Sequence, residues 1–236
     1  MAGYDGNFGA KRAREARAAL GLGPEEPFAC ALGAIEAAGV PVVVAGMHDQ
    51  IAGFCLKTGD ARSCLIVNGL QYVGRQRFTL AHEYGHHVMR HEGAPPDSTQ
   101  TVIQGLTRSS VEVQANAFAA EFLAPAAGVR AMVDEEPTLE TLARLAGHFG
   151  ISMQAALVRL NNLRLTTRDD ELRAELGDAD LRAWVRPAER EDALARIGRR
   201  LPYVSNLLEG TDFLAVMRGD AAADPALSRA LSVLMR

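Results

Sequence analysis

Two histidines four residues apart, with a glutamate directly after the first, stand in the run His82-Glu83-Tyr84-Gly85-His86. On a helix each residue advances about 100°, so His82 and His86 project from nearly the same side, one turn apart. Two imidazoles at that spacing can close on one tetrahedral metal ion. Glu83 would then lie beside the metal, where a carboxylate can take a proton from water. Such a short pattern also arises by chance, and histidines on a helix are often plain core or surface residues. The neighbours argue against chance. Phe78, Ala81, Gly85 and Met89 share the histidines' side, so that side is interior, where an unpaired imidazole is costly. Gly85 is a poor helix former, but it suits the close approach of a second helix.

A catalytic metal site commonly takes three protein ligands and keeps one position for water. Continuation of the motif to a histidine at position 92, after a glycine at 89, is absent, because the chain has Met89 and Glu92. The other arrangement draws a carboxylate from a second helix, and a predicted helix over 110–123 offers Glu112 and Glu121. Nine residues turn a helix through about 180°, so one of the two faces the metal. Glu112 shares its side with Ala115, Asn116, Ala119 and Leu123. The small residues there suit packing against Gly85, and Asn116 can hydrogen-bond to a ligand from behind. Ser109 and Glu112 also have capping-box spacing, but the shared face favours Glu112 as a ligand. Glu121 reads as a surface or cleft-rim residue. His87 and His91 fall about 140° and 180° from His82 on a regular helix, so they read as facing away from the metal. His48 and His148 carry no distinguishing mark. Tyr72, just ahead of the metal helix, is a guess at the oxyanion donor, with an ordinary aromatic role as its plain alternative. Two histidines and a carboxylate suit Zn2+ and also accommodate Mn2+.

The elements that must hold these residues follow from the pattern. The chain has 236 residues, nearly half apolar, with a net charge of −4, enough for a proper core and with no overall pull toward nucleic acid or membrane. Three cysteines without CxxC spacing read as reduced thiols, with Cys55 and Cys64 able to face each other across a hairpin. No secretory leader and no spanning apolar run is evident, so the expected location is the cytoplasm. Helices are predicted over 8–20 and 27–38, strands over 40–44, 51–57 and 63–67, a turn at 58–62, the metal helix over about 72–91 and a long loop at 92–108. Short helices follow at 138–149 and 152–162, and beyond 166 a set of short amphipathic helices. The expected fold class is α+β: a small, largely antiparallel sheet with the metal helices over residues 1–133, a helix-turn-helix-like pair over 134–165, and an all-α region over 166–236.

Two stretches, Arg77-Phe78-Thr79-Leu80-Ala81-His82-Glu83-Tyr84-Gly85-His86 and Glu112-Val-Gln-Ala115-Asn116-Ala-Phe118-Ala119-Ala120-Glu-Phe-Leu-Ala-Pro125, together resemble the ImmA/IrrE family of metallopeptidases over roughly 8–165. The resemblance implies a zincin-like core in which His82, His86 and Glu112 hold zinc and Glu83 is the catalytic base. It also implies a substrate, an XRE-type helix-turn-helix repressor whose cleavage releases phage, mobile-element or stress genes. Residues 166–236 do not match the sensor-like domain of longer members. Two alternatives stand beside this reading. One is a DNA-binding regulator, for which Gln154, Arg159, Asn161 and Asn162 offer base-reading types, although the leucines at 139, 142, 145, 157 and 160 fit a plain packed hairpin. The other is a toxin-like partner in a two-gene module.

Overall fold

A computed structural model describes residues 2–57, 63–91, 97–98, 109–178, 203–205, 207 and 222. The predicted turn at 58–62 lies outside them, as does most of the predicted loop at 92–108 and most of the region beyond 178. The described elements are α1 (Ala2–Ala19), α2 (Ala31–Ala37), β1 (Val42–Ala45), β2 (Ile51–Lys57), β3 (Ser63–Asn68), α3 (Val73–Met89), β4 (Asp97–Ser98), α4 (Ser110–Leu123), α5 (Ala126–Ala131), α6 (Leu139–Phe149), α7 (Met153–Asn162), α8 (Asp169–Asp178) and β5 (Tyr203–Val204).

The class is α+β, as the pattern predicts. The sheet runs β4-β2-β3-β1-β5. Its one parallel pair is β1 with β3, where Val43 lies opposite Ile66; the other neighbours are antiparallel. The β-branched run of β1 is wholly buried, as expected of a strand flanked on both sides. Two short strands depart from the predicted pattern. Residues 97–98, within the expected loop, pair with β2, and residues 203–204, within the expected helical tail, pair with β1. The register also removes the Cys55–Cys64 pairing. Cys55 lies opposite Leu65 and Cys64 opposite Leu56, so the two side chains leave opposite faces of the sheet. Burial pushes the Cys64 thiol up to about 12.

Helix α2 starts later than predicted. Pro27 does not open it; Cys30 caps it, its Sγ accepting from the Gly33 amide at 3.3 Å. Asn68, at the end of β3, is fully buried and donates to the carbonyls of Met47, His48 and Ile51. It thereby closes the sheet end just ahead of α3.

Helices α1, α3 and α4 pack together over the sheet. A Cβ built on Gly9 of α1 would lie 2.1 Å from the Gln114 carbonyl oxygen, and one on Gly85 of α3 would lie 3.0 Å from the Phe118 ring. At Gly9 no larger residue fits without a backbone shift, and at Gly85 the Phe118 ring would have to give by a few tenths of an ångström. Phe118 supplies the side-chain atoms nearest to Gly85. One apolar core joins β1 and β3 to α3, α4, α6, α7 and α8, through Val42, Leu65, Leu80, Phe122, Leu142 and Leu157 among others. The α6–α7 turn is held onto α3: Arg77 donates to the Phe149 carbonyl at 3.3 Å, and the Arg77 guanidinium covers left-handed Gly150 (φ +63°).

Candidate metal centre

Helix α3 delivers His82 and His86 to the face that meets α4, and α4 delivers Glu112 from its first turn. All three are buried, with His82 wholly enclosed and Glu112 6% exposed. The two Nε2 atoms stand 2.9 Å apart. Glu112 Oε2 is 3.2 Å from His82 Nε2, and its Oε1 is 3.5 Å from His86 Nε2. Ser109 makes no side-chain capping bond onto α4, so Glu112 faces the histidines and not a capping box.

The donor set fits a divalent ion. Bonds of about 2.05 Å in a tetrahedron separate neighbouring donors by roughly 3.3 Å, and the three separations here bracket that figure. Glu112 Oε2 has no hydrogen-bond partner despite its burial, a state that is costly for a carboxylate oxygen unless a cation faces it. The charge balance agrees. Burial works against an ionised Glu112, but when the His82 and His86 imidazoles carry protons toward it, their hydrogen bonds and charge hold the carboxyl well below the usual carboxylate range; a cation facing the same oxygens takes that part when the imidazoles present lone pairs. His82, His86 and Glu112 are the group among the described residues whose donor atoms converge in this way.

Asn116, one turn on from Glu112, places its Oδ1 3.0 Å from His82 Nδ1. An amide oxygen only accepts, so His82 donates from Nδ1 and keeps a lone pair on Nε2. Glu83, next in the chain to His82, is buried at 3% exposure. Tyr72 is not brought to the group. It caps the start of α3 at 54% exposure, ten residues and about 15 Å of helix from His82.

Three residues depart from the sequence reading. His91 was expected to face away, but the regular wheel stops before it. Arg90 adopts the left-handed conformation (φ 57°, ψ 38°), and the amides of His91 and Arg90 bond back to the carbonyls of His86 and His87. That is a Schellman ending with arginine in the place usually taken by glycine, and it folds His91 back until its Nδ1 lies 3.0 Å from His86 Nδ1. Burial, with His86 beside it, pushes the His91 pKa down. His87 does turn from the triad and stacks on Tyr84. Glu121, expected at the surface or on a cleft rim, is 3% exposed, lines a cleft, and pairs with Arg159 of α7 and with Arg14 of α1 at 3.3 Å. No local pattern announces that pair, since its partners lie 38 and 107 residues away. Arg159 also donates to the Ala124 carbonyl at 2.9 Å, so one of the four base-reading side chains is engaged inside the protein.

A cleft of about 740 Å³ runs between α1, the start of α3, α4 and α7. Ala117, Ala120 and Val158 make its walls apolar, Arg14 and Asn162 add polar groups, and it reaches Asn116. No described helix is long and apolar enough to cross a membrane.

A family profile described as the IrrE N-terminal-like domain, of the peptidases, matches residues 35–161. The match holds the two helices that carry His82, His86 and Glu112, and nearly all of the α6–α7 pair. A comparison with curated proteins gives no match.

Proposed function

Because the chain belongs to the metallopeptidase family of the IrrE N-terminal-like domain, we propose that it is a zinc-dependent endopeptidase acting on an XRE-type helix-turn-helix repressor. The observation that carries this reading is the convergence of His82, His86 and Glu112 from two packed helices. In this reading the three residues are the ligands and Glu83 is the base. A divalent cation held there supplies Lewis acidity and lowers the pKa of water toward neutrality. Glu83 takes the proton from the attacking water and passes it to the leaving amine. His82 and His86 hold lone pairs toward the reacting centre, and Glu112 adds the negative charge that favours a dication over a proton. Cleavage of the repressor would free the genes it silences, in the cytoplasm where such a repressor works.

The cleft that ends at Asn116 supports a place for the substrate segment, and α7 on its wall supports a docking role for the pair at 134–165. Residues 1–133 would then carry the catalysis. The DNA-binding alternative loses Arg159, which is engaged with Glu121.

The test is direct. An XRE-type repressor from the same genome, incubated with this protein and Zn2+ or Mn2+, should yield two fragments by mass spectrometry. Glu83→Gln should bind the metal as before and cleave about 10²–10⁴-fold more slowly. Undiminished cleavage by that variant would remove Glu83 from the mechanism.

A further inference from the structure

His86 Nδ1, the nitrogen turned away from Glu112, meets His91 Nδ1 at 3.0 Å. Two facing imidazole nitrogens make a hydrogen bond only if one carries the proton and the other does not. The neighbours decide which. His91 Nε2 lies 3.1 Å from Gln114 Oε1. The Gln114 amide nitrogen donates to Asp5 Oδ1 at 2.9 Å and to Ser110 Oγ at 3.1 Å. An ionised carboxylate only accepts, so Asp5 requires the NH2 end of Gln114 and turns its carbonyl oxygen to His91. The carbonyl accepts, so His91 Nε2 carries the proton. His91 Nδ1 then holds a lone pair and accepts from His86 Nδ1–H. His86 Nε2 is left bare, pointing at His82 Nε2 and Glu112.

We propose that Asp5, Gln114 and His91 form a proton-ordered chain that sets the tautomer of His86 and orients its Nε2 for metal binding, making His91 a positioning residue of the site. This rests on the reading of His86 as a ligand. It matches on the α3 side what Asn116 does for His82, and hydrogen bonds of this kind behind a ligand govern metal affinity. The chain also ties α1 to the centre, since Asp5 sits in the first turn of that helix.

The test uses the full chain and Zn2+ alone. Long-range 1H–15N spectra of the metal-free protein should show His86 protonated on Nδ1 and His91 on Nε2. Competition with a chromophoric chelator should show His91→Leu binding Zn2+ about 10–100-fold more weakly, with the His86 proton no longer confined to Nδ1. His91→Asn, whose amide oxygen can stand where Nδ1 stood, should recover most of the affinity. Gln114→Leu tests the same chain without touching His91, and should lower affinity in the same direction while the fold, read by circular dichroism, is kept. A wild-type His86 protonated on Nε2, or His91→Leu and Gln114→Leu binding Zn2+ as tightly as wild type, would overturn the proposal. His86→Ala separates the two layers. If it abolishes zinc binding while the His91 and Gln114 variants have no effect, the chain is wrong and the site stands; if it leaves zinc binding intact, the ligand reading fails and the chain falls with it.

Discussion

At the scale of single residues, Glu121 and Arg159 bury opposite charges against each other. The Glu121–Arg159 pair is nearly enclosed, with side-chain exposures of 4% and 8%. Removing one member of such a pair leaves the other buried and uncompensated, at about 3–5 kcal/mol, whereas replacing both by apolar residues of similar size is often close to neutral. Glu121→Leu should therefore lower the urea unfolding free energy by about 3 kcal/mol or more, and Glu121→Leu with Arg159→Met should recover much of the loss. The same contrast explains what was legible in the chain. His82, His86, Glu112 and Asn116 were readable because each pair shares one helix, and helical spacing puts them on one face. The burial of Glu121 was not readable because its partners come from α1 and α7, which no spacing within α4 reveals. His91 was misread because a wheel drawn through residue 91 assumes a helix that has already ended at Arg90.

At the scale of elements, glycines set how closely the helices approach. Gly9 lets α1 cross α4 so tightly that a Cβ would stand 2.1 Å from the Gln114 carbonyl oxygen. A backbone oxygen cannot swing aside as a side chain can, so Gly9→Ala must push the helices apart. Overpacking of this kind costs about 1–3 kcal/mol, partly offset by alanine's better helix propensity. Thermal melts should show the loss. Periodicity found α1 to α4, α6, α7 and the three central strands, since each carries its pattern within its own residues, but not α5, the six-residue helix that follows Pro125. It missed β4 and β5, two-residue strands whose only reason to be strands is the backbone of β2 or β1 alongside them.

At the scale of the whole molecule, the candidate ligands His82, His86 and Glu112 bridge α3 and α4, and both helices share one core. An ion gripped there would stabilise the folded chain over the unfolded one, by about 2.7 kcal/mol at a hundredfold excess over its dissociation constant. For a chain of this size that corresponds to a rise in Tm of about 5–10 °C. Titrating Zn2+ into chelator-treated protein should show that rise, and Glu112→Ala should abolish it; an unchanged Tm would argue that the carboxylate and imidazoles bind nothing. The same shared core bears on how the gene can be cut. Phe149, Leu142 and Leu157 bury themselves with Phe122 and Leu80, and Arg77 grips the turn between α6 and α7. A shortened protein ending at residue 133 would bare that oily surface to water and lose solubility, so the minimal protease worth purifying extends through α8, whose Leu172 and Leu176 join the same core.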